Sequence, residues 1–187
     1  MIKLIKKIVQ FGLLLFVFSC KKSEKQREEE NFYRCFLPVI HQGSDLLKSK
    51  YGMQYIGFGI DAEEKFVNLL ELSFTVNREL KKEEIRFSLV DMAYEFISVI
   101  NSNEQISSYM ENYPVDVSNI GIRIYFRHED GTDIKHPGIT MAALEDSGLI
   151  YKTLGEQYGY KDTMGESFED ALKIVEESRG IERGAKR

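Results

Sequence analysis

Two imidazoles and three carboxylates fall within His128-Glu129-Asp130-Gly131-Thr132-Asp133-Ile134-Lys135-His136, a cluster that mixes both kinds of metal-ligating side chain. Nitrogen and carboxylate donors at such spacing can hold a transition metal, and a bound metal with an open position activates water for hydrolysis. Geometry decides whether these donors meet. If Asp130-Gly131 is a two-residue turn, His128 stands opposite Asp133, and strand alternation sends His128 and His136 to opposite faces. A three-residue loop would bring them to one side. Acidic turns are the ordinary occupants of hairpin tips, so the reading adopted is a solvated tip. A small metal-dependent hydrolase using His128, Asp133 and His136 is the alternative.

Other reactive side chains are isolated. His41 stands beside Gln42 and Gly43 with no Ser, Cys or acid at nucleophile spacing, and reads as structural. Cys35 lies in Phe32-Tyr33-Arg34-Cys35-Phe36-Leu37, an apolar setting that suits a buried small hydrophobe and not a reactive thiol. The glycines of Tyr55-Ile56-Gly57-Phe58-Gly59 precede an acidic turn rather than a helix, so they make no dinucleotide-binding turn. No phosphate-binding loop, nucleophile elbow, metalloprotease helix or calcium loop occurs. No cofactor is called for, and binding is better supported than catalysis. Tyr151, Tyr158 and Tyr160, spaced by Gly155 and Gly159, suggest a loop presenting aromatic rings to a partner, or one whose rings simply cover a sheet.

The elements that would position these residues read as an α+β domain. Phe32 to Lys50 is apolar enough for a helix, but Pro38 and Gly43 predict a break, with a new start capped by Ser44. Met53 to Ile60 alternates as a strand, and Leu70, Leu72, Phe74 and Val76 alternate as a cleaner one, the two pairing antiparallel across an Asp61 to Lys65 link. Ile85, Leu89, Met92, Ala93, Phe96 and Ile100 recur at helical spacing, predicting a helix from Lys82 to Ile100. A short helix from Glu104 to Tyr113 ends at Pro114. Ile120, Ile122, Ile124 and Phe126 face one way in the next strand and Arg123, Tyr125 and Arg127 the other. Ile139 to Leu144 and Leu149 to Leu154 read as strands, and Phe168, Ala171, Leu172 and Val175 as a last helix, capped by Ser167 and ended by Gly180. The economical architecture is an antiparallel sheet of four to five strands with helices mainly on one face, a two-layer sandwich.

The first twenty residues carry a different message. Lys3, Lys6 and Lys7 precede an almost unbroken apolar run from Ile8 to Phe18, and small Ser19 stands before Cys20. A run of about eleven residues is too short to cross a bilayer, which takes roughly twenty, so a processed signal is expected. Val17-Phe18-Ser19-Cys20 resembles the lipobox of bacterial lipoproteins. The resemblance implies cleavage between Ser19 and Cys20 and acylation of Cys20, anchoring the mature protein to a membrane; several acyl chains hold where one holds marginally. Lys21 in place of Asp leans towards the outer membrane, with the domain facing the periplasm or the exterior. The expected divisions are 1–19 signal, 20–31 lipidated Cys and polar tether, 32–180 the folded domain, and 181–187 a basic frayed tail.

Removing Met1 to Ser19 takes three Lys and no acid from the 25 basic and 30 acidic side chains, leaving −8 on 168 of the 187 residues. That length builds one core without disulfides, and with Cys20 acylated Cys35 has no intramolecular partner. An acidic domain of this kind is not a nucleic-acid binder. The expectation is a membrane-anchored lipoprotein of the cell envelope, a non-catalytic accessory module that binds another envelope protein. A narrower version is an immunity-type inhibitor of a basic toxin domain.

Overall fold

The computed structural model describes residues 24–63, 66–155 and 159–185, with side chains described for 34–63, 66–155 and 159–180. Ser19 and Cys20 lie outside these residues. The chain divides into two compact units, Met1–Phe36 and Leu37–Arg187. In the first, the described residues are helical from Glu24, so helix reaches into the polar stretch expected to be a tether, where Glu, Lys, Gln and Arg are good helix formers. Cys35 is half-buried, not fully buried as expected, and makes no disulfide.

The second unit begins within helix α1 (Glu24–Tyr51), which runs through both residues expected to break it. Pro38 is exposed, and the helix continues past it. Gly43 is a point of close approach instead of a stop. A Cβ there would lie 2.8 Å from ring carbons of Phe96 and 3.5 Å from Leu72 Cδ1, so only glycine lets α1 settle this near. Ser44, expected to cap a second helix, is buried mid-helix and donates its hydroxyl to the His41 carbonyl at 3.1 Å.

Strands β1 (Gln54–Glu63) and β2 (Phe66–Val76) form the expected antiparallel hairpin, longer than its hydrophobic pattern suggested. Helix α2 (Lys82–Asn101) matches its periodicity closely: Ile85, Leu89, Met92, Ala93, Phe96 and Ile100 are all fully buried. At its start the Glu84 carboxylate accepts from the Lys81 amide at 2.9 Å, where the helix dipole also favours an acid. The short helix expected next is a 3-10 turn over Glu104–Tyr109, followed by another at Val117–Asn119. Asn101 replaces further helix by holding the backbone of Val115 through both its amide atoms, at 2.8 and 3.0 Å.

Strands β3 (Ile120–Phe126), β4 (Ile139–Glu145), β5 (Gly148–Leu154) and β6 (Tyr160–Ser167) complete one six-stranded sheet in the order β1-β2-β3-β4-β5-β6. Two expectations are corrected. The sheet is antiparallel except that β2 and β3 run parallel, from Leu70 beside Ile120 to Val76 beside Phe126, because α2 carries the chain back between them. There are six strands instead of four to five. The sixth has the composition of a Tyr- and Gly-rich loop, because Tyr-Lys-Asp-Thr-Met-Gly-Glu-Ser is a polar edge strand, exposed everywhere but at Glu166, with no alternation to betray it. Helix α3 (Phe168–Ala185) starts where Ser167 was expected to cap it, the Ser167 Oγ accepting from the Asp170 amide at 3.1 Å. It continues past Gly180, which does not adopt the left-handed conformation that ends helices.

Helix α2 lies against β3, β4 and β5, and α3 against β5, β6 and α2. On that side Leu70, Leu72, Phe74, Ile122, Ile124 and Leu144 are almost wholly removed from water. The alternate residues of the same strands are treated very differently.

Candidate functional site

The period of two that buries Leu72 and Ile124 turns Ser73, Thr75, Arg123 and Tyr125 the other way. Strand register joins these into two rows across all six strands. One reads Gly57, Ser73, Arg123, Ala143, Ile150, Gly165; the next reads Gln54, Thr75, Tyr125, Met141, Lys152, Thr163. Ala143 and Met141 at the centre are buried among their neighbours, whereas Ser73, Thr75, Arg123, Tyr125, Ile150 and Lys152 stay half-exposed. Glycines at both ends of the first row leave the strand backbone bare.

Charge on this face is paired. The Arg123 guanidinium, 31% exposed, donates to Glu71 at 3.1 Å and Glu145 at 3.5 Å, and Ser73 Oγ donates to the other oxygen of Glu71 at 3.2 Å. Gly121 leaves the room this needs, since a Cβ there would meet the Glu71 side chain at 3.1 Å. Towards β6 the Lys152 ammonium sits 5.2 Å from the centre of the Tyr160 ring. Tyr160 is half-exposed, and its phenol is pushed above the ordinary tyrosine range by burial and by Tyr125, with Arg123 opposing. The result is a broad, charge-balanced face with two aromatic rings and two cations, a composition suited to a protein surface.

The expected donor cluster is dispersed. Loop geometry differs from both turns considered: Gly131, at a φ of 83°, donates to the His128 carbonyl, and Arg127, not His128, bridges to Asp133. Asp133 faces the Arg127 guanidinium at 3.8 Å, while His136 Nδ1 lies 3.0 Å from Asp162 and 3.3 Å from Thr153 Oγ1 over β5 and β6. His128 is exposed in the loop. Among the described residues no three His, Cys, Asp or Glu side chains group as metal ligands would. His41 is exposed on α1.

The tyrosines also separate. Of the two readings of these rings, the partner-facing one is corrected for Tyr151, which is wholly buried under α2 as a ring that covers the sheet; β5 alternation turns it inward with Leu149 and Thr153. Its hydroxyl donates to Glu166, which Arg86 grips with two bonds of 2.9 and 3.0 Å, and the Lys82 ammonium lies 4.8 Å from its ring. Burial and the Glu166 carboxylate push the Tyr151 phenol far above its ordinary range. Glu166 is held below the usual carboxylate range by Arg86 and Tyr151, against the opposing effect of its own burial. Tyr160 is on the open face, and Tyr158 lies outside the described residues.

Arg123 and Tyr125 were legible as outward residues of β3, but not as members of a surface. That needed the parallel register to β2 and the partnership of Lys152 two strands away, neither of which leaves a local signal. No family model, curated protein or solved structure matches the chain.

Proposed function

We propose that the protein is a lipid-anchored lipoprotein of the cell envelope, processed between Ser19 and Cys20, whose two-layer domain is a non-catalytic module that binds another envelope protein. In this reading all helices of the Leu37–Arg187 unit stand on one side of the sheet, and the partner takes the other. The observation that carries it is the pair of residue rows crossing six strands, half-exposed at Arg123, Tyr125 and Lys152. Aromatic and arginine side chains on a broad face are the anchors from which protein interfaces draw most of their energy. The placement of the anchor follows from Val17-Phe18-Ser19-Cys20, and Lys21 favours the outer membrane. Among the described residues no helix is long and apolar enough to cross a membrane.

A photo-crosslinking residue placed at Tyr125 or Tyr160 in the native cells should capture a repeatable protein, whereas the same residue at exposed Lys173 of α3 should not. Equal capture from Lys173, or none from the sheet, would remove the sheet face from the reading. The sheet face is charge-balanced, so the acid that an immunity-type inhibitor would turn on a basic toxin domain lies elsewhere on the molecule. A metal-dependent hydrolase is not the reading adopted, since Asp133 turns to Arg127 and His136 to Asp162.

A further inference from the structure

Away from the open face, a groove of about 580 Å³ lies between α2, the segment leading into β3, and the first turns of α3. Its apolar lining includes Tyr94, Ile97, Val117, Phe168 and Leu172. Tyr94 is half-exposed and meets Phe168 edge-on at 5.9 Å, so one aromatic ring forms a wall that nothing among the described residues covers. Ile97, Val117 and Leu172 are half-buried, open to the groove without being swallowed by the core. The charged side chains that line it are Asp116 and Glu169, both acidic. Asp91 of α2, by contrast, is paired with Arg179 of α3 at 2.7 Å. Asp116 is kept ionised by its bonds from the Ser118 hydroxyl and amide, at 2.6 and 2.8 Å.

We infer that this groove is a docking site for a short basic segment of a partner protein, in which a Lys or Arg is flanked by apolar side chains. The apolar residues of the segment fill the space against Ile97, Val117 and Leu172, and its cation stands between Asp116 and Glu169. Charge complementarity selects this occupant: an acidic segment would bring like charges together, and a purely polar one would leave the apolar walls wet. The inference goes beyond the sheet-face reading and does not depend on it, since the two surfaces share no residue.

Short random peptides displayed on phage and selected on the full-length protein in detergent test this directly. Basic-apolar sequences should be enriched, and a synthetic peptide of that kind should lose at least about tenfold in affinity on Glu169→Lys. Glu176→Lys, which makes the same charge change on α3 away from the groove, should lose much less. Ile97→Asn should weaken the same peptide while melting cooperatively, close to the temperature of Glu169→Lys. Enrichment of acidic or polar peptides, no enrichment, or equal losses on Glu169→Lys and Glu176→Lys would each overturn the inference. Failure here with successful crosslinking from Tyr125 would leave the sheet-face reading standing.

Discussion

A glycine inside a helix ordinarily weakens it, and replacing it with alanine ordinarily gains about 1 kcal/mol. Gly43 reverses that sign. A methyl group there would sit 2.8 Å from the Phe96 ring, and Phe96 is itself fully buried, so the ring has no room to yield. Overpacking of a tight core costs about 1–3 kcal/mol, enough to outweigh the propensity gain. Gly43→Ala should therefore lower the urea midpoint, while Gly180→Ala on exposed α3, with nothing within 4 Å of the new methyl, should raise it or leave it unchanged. A more stable Gly43→Ala would show that α1 does not pack as close as the geometry has it. The sequence did not distinguish a breaking glycine from a packing one, because the difference lies in Phe96, which is distant along the chain.

At the scale of elements, Arg86, Glu166 and Tyr151 latch α2 to β5 and β6. Both members of the ion pair are almost dry, with side chains 9% and 12% exposed, so Arg86→Ala leaves a carboxylate without its cation and should cost about 3 kcal/mol or more. The latch also sets two limits of pH. Glu166 is depressed in the folded state, so its contribution is complete above the ordinary glutamate value and is lost as pH falls through the folded one. Tyr151 is raised, so its contribution is complete below the ordinary tyrosine value of about 10 and is lost as pH climbs above it. Tyr51, raised by burial and by Glu95, acts in the same direction. Urea midpoints measured across pH should form a plateau with two falling arms, and Tyr151→Phe should make the alkaline arm shallower without abolishing it. An unchanged alkaline arm would place Tyr151 outside the linkage.

What the sequence disclosed about these elements follows from how each is buried. Helix α2 was legible to within a residue or so because one apolar stripe faces one core. Strand β6 was invisible because an edge strand with neither face in the core has nothing to alternate, and its one half-buried residue, Glu166, is charged. Tyr151, inside the expected strand Leu149 to Leu154, and Tyr160, on the strand that left no signal, fall on opposite faces of the sheet.

For the whole molecule, the proposed anchor is expected to fix the compartment and leave folding to the domain. Cys20→Ala should abolish fatty-acid incorporation and membrane retention while leaving the circular dichroism and melting temperature of the domain unchanged. Acylation that persists in this variant would move the lipid elsewhere and with it the compartment assigned to the module. The open sheet face and the acidic groove lie on different parts of the Leu37–Arg187 unit, so a partner could be held by one surface while its basic segment reaches the other.

The parallel joint between β2 and β3 has a consequence for how this chain comes into being. Synthesis delivers the β1–β2 hairpin first, and β2 then waits with a bare edge through the whole of α2 and both 3-10 turns before Ile120–Phe126 arrives to lie beside it. Leu70, Leu72 and Phe74 are on that waiting strand, and an uncovered apolar strand edge is a template for the wrong neighbour. Helix α1, already made and packed near Leu72 at Gly43, and helix α2, whose contacts along its own length are local and quick to form, are the pieces of the nascent chain available to cover those side chains.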